Sequence, residues 1–116
     1  MPSYFGKDFD RVLRWLKKRV PPFRLITTDR LADEDYETLL GEVYQSQKTN
    51  EWIIRITRNL DHILAVETLL HEVSHLVIFD RNGYEYDHRK HHSREWGVVY
   101  SDLYRAFDEA NEKGEI

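Results

Sequence analysis

The sequence predicts a small α+β domain. Two observations lead there. The chain has 116 residues, 41% of them hydrophobic, enough for one modest core and one domain, residues 1–116. Its periodic segments run helix, strand, strand, strand, helix, loop, helix, an order that segregates the strands from the helices.

The first element is "KDFDRVLRWLKKRV", Lys7 to Val20, whose Phe9, Leu13 and Leu16 share one face at helical spacing with the preceding Phe5. Pro21-Pro22 stops it. "FRLITT", Phe23 to Thr28, is short and rich in strand formers. "DRLADEDYET" is acidic and reads as a loop or a single helical turn. Two strands follow, Leu39 to Gln45 and Glu51 to Arg58, and the polar "SQKTN" between them suggests a hairpin. Ile54 and Ile56 alternate with Arg55 and Thr57, as in a half-buried strand. "FRLITT" is expected on the far side of "IIRIT", which leaves Gly41 to Gln45 at the sheet edge. Asn59 or Asp61 caps a helix that runs to about Phe79. "DRNGYEYDHRKH" is a loop, with Asn82-Gly83 as its turn signal. Ser93 caps a last helix whose Trp96, Tyr100, Leu103 and Phe107 fall on one face.

Composition excludes several functions. The chain has no cysteine, so any metal must be held by His and carboxylate. That composition fits a reducing, cytoplasmic setting. "MPSYFGKDFDRVLRWLKKRV" lacks the apolar stretch of a secretory signal. The purely apolar runs are only a few residues long, so no membrane association is expected. With 17 basic against 21 acidic residues the net charge is −4, which is not the footprint of a nucleic-acid binder. The early cluster Arg11, Arg14, Lys17, Lys18 and Arg19 reads as a solvated helix face.

Chemistry concentrates in "VETLLHEVSHLVIFD". His71, Glu72 and His75 form the H-E-x-x-H pattern inside an otherwise apolar helix. Successive helical residues turn about 100°, so the two imidazoles sit about 40° apart, one turn of rise from each other, and can reach one ion. Glu72 lies about 60° from His75, placed to touch a water on the ion rather than the ion itself. Zinc lowers the pKa of such a water to about 7, and a carboxylate beside it can accept the proton. A catalytic zinc takes three protein ligands. Glu85, Asp87, His88, His91, His92 and Glu95 are all candidates for the third. Ile78 and Arg81 stand where the metzincin pattern has Gly and His, so the helix should continue past His75.

"TLLHEVSHLV" followed after a loop by "HSREW" resembles the SprT-like metallopeptidase domain and the related YgjP-like proteins. "GEVYQ" and "IIRIT" resemble the strands that lead into that family's active-site helix. The likeness covers roughly Leu39 to Phe107. It implies a zincin-like fold and a zinc-dependent peptidase. His71, His75 and His92 would be the Zn2+ ligands and Glu72 the general base. His91 has no counterpart in the pattern and, like His88, reads as a loop residue. Larger members add a cysteine zinc ribbon or other nucleic-acid-binding segments, which this sequence lacks.

The implied partner is therefore a protein or peptide substrate, docked by strand addition at Gly41 to Gln45; nucleic-acid binding through the first helix is a weaker alternative. Two alternatives share the same residues: a zinc-stabilised binding or adaptor module without turnover, and a hydrolase of a non-peptide amide. Tyr84, Tyr86, Tyr100, Tyr104 and Arg94 are conceivable donors to a developing oxyanion.

Overall fold

The structure, a computed structural model, describes residues 5–29, 31–32, 38–82 and 94–116. Helix α1 spans Lys7–Lys17, followed by β1 (Phe23–Thr28), β2 (Leu31–Ala32), β3 (Thr38–Leu39), β4 (Gly41–Gln45) and β5 (Trp52–Thr57). Helices α2 (His62–Asn82) and α3 (Arg94–Glu112) complete the chain. The α+β class holds: among the described residues, three helices accompany a mixed three-stranded sheet of order β1-β5-β4. Strand β5 is central, parallel to β1 and antiparallel to β4, so β4 lies at an edge as expected.

Several boundaries differ from the sequence reading. Helix α1 stops at Lys17, three residues short of Val20, where the amides of Arg19 and Val20 both turn back to the Leu16 carbonyl. Val20 precedes Pro21, which disfavours helical backbone at Val20. Phe9 and Leu16 are buried as expected, together with Val12 and Trp15, while Phe5 and Leu13 are only partly buried. The acidic segment after β1 opens and closes with β2 and β3, which pair antiparallel as a separate ribbon. The predicted strand from Leu39 is thus divided, with Leu39 in β3 and β4 starting at Gly41.

The β4–β5 hairpin forms over the predicted segment. Ser46 N–H donates to Glu51 O, and Asn50 turns the chain at a φ of 60°, which Asn tolerates. Strand β5 is more buried than simple alternation predicts. Ile54 and Ile56 are fully buried on the helix side, but Ile53 and Thr57 are buried too, as befits a central strand.

Helix α2 is the axis of the core. Asp61 caps it by accepting a hydrogen bond from Leu64 N–H at 2.8 Å. Ala65, Leu69, Leu70, Val73 and Leu76 are wholly buried along it. By length and mean hydropathy His62–Arg81 could cross a membrane, but over half of that stretch is buried against the rest of the protein, as in a core helix. The helix runs on to Asn82, past the expected end at Phe79. Helix α3 packs Tyr100, Leu103 and Phe107 onto the core, with Val99 and Ala110 its buried residues.

Candidate metal centre

Five polar side chains are buried among the described residues: Thr57, Thr68, Glu72, Ser74 and His75. The three hydroxyls have ordinary explanations. Thr68 and Ser74 donate to the carbonyls one turn back, Leu64 and Leu70, each at 2.7 Å, and Thr57 donates to Leu40 O at 3.4 Å. The other two belong to the H-E-x-x-H motif.

The motif folds as its spacing predicts. One helical turn sets His71 and His75 side by side, and their Nε2 atoms converge to 3.3 Å. Two nitrogens bound to one tetrahedral zinc at about 2.0–2.1 Å stand about 3.3–3.4 Å apart, so this donor pair fits the ion. The same separation allows an imidazole–imidazole hydrogen bond when one ring carries its proton on Nε2 and the other does not. His75 is buried and His71 half-buried.

Glu72 points elsewhere on α2, toward the start of β4. A β-carbon placed on Gly41 would stand 2.9 Å from Thr68 Cγ2, 3.2 Å from Glu72 Cγ and 3.2 Å from Arg55 O. Gly41 is thus a position at which the edge strand descends onto α2. The close fit buries Glu72 and pushes its carboxyl up to about 8, chiefly by burial and secondarily through the negative charge of Glu42. Glu42 stands on β4 opposite Arg55, whose Nε lies 2.9 Å from Glu42 Oε1. The pair is an ion pair by distance without the alignment of a hydrogen bond, and it is half exposed.

Aromatic rings frame the histidines. Trp96 sets its ring against both imidazoles, at 5.0 Å from His71 and 5.2 Å from His75. Phe79 stacks on His75 at 6.1 Å, and Tyr100 meets His71 edge-on at 6.2 Å. The sequence reading missed Phe79 and Gly41. Phe79 could have been found from its i+4 spacing to His75; Gly41 had no local signal.

His92 lies outside the described residues, with Glu85, Asp87, His88, His91, Ser93, Tyr84 and Tyr86. Glu95 and Arg94 are exposed on the first turn of α3. Among the described residues no three His, Cys, Asp or Glu side chains gather around one point. Of the other conceivable oxyanion donors, Tyr100 lies beside the pair and Tyr104 one turn farther along α3. A separate cavity of about 350 Å³ opens where α1, α2 and α3 meet, between Val12, Val66, Tyr104 and Phe107. It stands one turn before His71 along α2, and the convergent nitrogens are not part of its lining.

No family model, curated protein or solved structure matches this chain.

Proposed function

We propose that the chain is a zinc-dependent metallopeptidase, SprT-like in its motif and zincin-like in its fold, that hydrolyses peptide bonds. The observation that carries this reading is the convergence of the His71 and His75 Nε2 atoms to 3.3 Å, with Glu72 next to them in the chain. His71 and His75 hold the Zn2+, and His92 completes the ligand set. Bound zinc would supply Lewis acidity, polarising a carbonyl and acidifying water.

Glu72 is the general base in this reading. It accepts a proton from attacking water and returns it to the departing amine. Its burial favours the protonated carboxyl, and a cation beside it favours the carboxylate needed for that role.

The sheet edge supports a peptide substrate over a small amide. Thr57 N–H bonds Leu40 O, and Ser46 N–H bonds Glu51 O, across β4 and β5. By the alternation of an antiparallel ladder, Glu42 and Tyr44 face β5 with their backbone groups. Gly41, Val43 and Gln45 therefore turn their N–H and C=O groups outward along the edge. An extended peptide can add there as a further strand. The lack of cysteine is compatible with work in the cytoplasm.

The test is cleavage of an unfolded protein such as casein by the zinc-loaded chain. Glu72→Gln should keep its zinc and lose about 10²–10⁴-fold in rate. Equal rates in the two proteins would remove Glu72 from the mechanism.

A further inference from the structure

The rings around His75 form a column. Tyr100 lies over Trp96 at 5.1 Å and 13° between planes, and Trp96 over His75 at 5.2 Å and 28°. Beyond His75 come Phe79 at 6.1 Å and 20°, then Trp52 at 6.1 Å and 14°. The column ties α3 (Tyr100, Trp96) to α2 (His75, Phe79) and to the first residue of β5 (Trp52). The rings of Trp96 and Phe79 thus both lie nearly parallel to that of His75. His71 stands differently, edge-on to Trp96 at 61°.

We propose that Trp96 and Phe79 are positioning residues that clamp the His75 imidazole, fixing its plane so that Nε2 meets that of His71. This rests on the reading of His71 and His75 as metal ligands. The need for such a device is physical. The outer torsion of a histidine is broad, so the plane of the ring is not set by its own bonds. A helix fixes the Cβ of His75 but not that torsion. Flat rings packed nearly parallel to the imidazole hold its plane, which a merely apolar wall of equal volume does not. The clamp also links the ligand to α3, through Trp96.

The test uses the full chain stripped of metal and titrated with zinc against a competing chelator. Trp96→Leu, which keeps apolar bulk without a flat face, should weaken zinc binding about 10–100-fold, the range for residues that orient a ligand. Trp96→Phe should restore most of that affinity. Proton–carbon spectra of the metal-free protein give a second readout. The His75 ring protons should be shifted upfield in the parent and move toward unstacked values in Trp96→Leu. Should Trp96→Leu fail to fold, Phe79→Leu applies the same test at the other ring. Equal zinc affinity in parent and Leu variant, or equal losses in the Leu and Phe variants, would overturn the clamp. If the parent takes up no zinc, the metal reading itself falls and the clamp falls with it as a ligand-positioning device, whatever the ring spectra show.

Discussion

Glu72 is a carboxyl placed where charge is costly, and its proton should report that cost. Its pKa rises from 4.5 to about 8 in the folded protein, by burial first and Glu42 second. Between those values the metal-free native state holds a proton that the unfolded chain has released. Stability contributed by this group is therefore complete below about pH 4.5 and is lost as pH rises through about 8. Each tenfold difference in proton affinity is worth about 1.4 kcal/mol. Glu72→Gln mimics the protonated carboxyl and has no such dependence. Thermal unfolding of the metal-free proteins should give similar melting temperatures at pH 5 and a less stable parent at pH 9. Parallel curves across that range would show that Glu72 is not buried in this way. Added zinc should remove the parent's disadvantage, because a neighbouring cation favours the charged carboxylate.

At the scale of elements, β4 packs on α2, and at Gly41 the strand comes close to Thr68 and Glu72. Gly41→Ala would press a methyl to 2.9 Å from Thr68 Cγ2 and 3.2 Å from both Glu72 Cγ and Arg55 O. Overpacking of this kind costs about 1–3 kcal/mol. Thr68→Ser deletes the nearest methyl while keeping the hydroxyl that donates to Leu64 O. The double variant should recover part of the loss in denaturant unfolding, and strictly additive effects would mean that the strand moves away instead. Along the same strand, Val43→Pro removes an N–H that faces outward and no bond to β5. A folded Val43→Pro protein should show a strongly raised KM on an unfolded protein substrate with kcat little changed. Unchanged KM would count against strand addition at this edge.

Across the whole molecule, what was legible in the sequence followed the range of the interactions. The H-E-x-x-H geometry is set within one helical turn, so the convergence of His71 and His75 could be read from spacing alone. The edge position of β4 followed from a short hairpin and one further strand. Contacts between elements far apart in sequence were not legible. Nothing local marks Gly41 as the landing of a strand on a helix, or Trp96 as a ring set on two imidazoles. The end of α2 was misjudged because Asp80, Arg81 and Asn82 are polar without being helix breakers, and the helix continues through them.

In the proposed function His71 and His75 hold zinc together with a ligand from beyond α2. Zinc stoichiometry of purified proteins, by elemental analysis, tests it most directly. The parent and His91→Ala should carry stoichiometric zinc, and His75→Ala and His92→Ala should have lost most of theirs. A parent without zinc, or a His75→Ala protein that keeps it, would contradict the account; zinc lost from His91→Ala and retained by His92→Ala would exchange the third ligand.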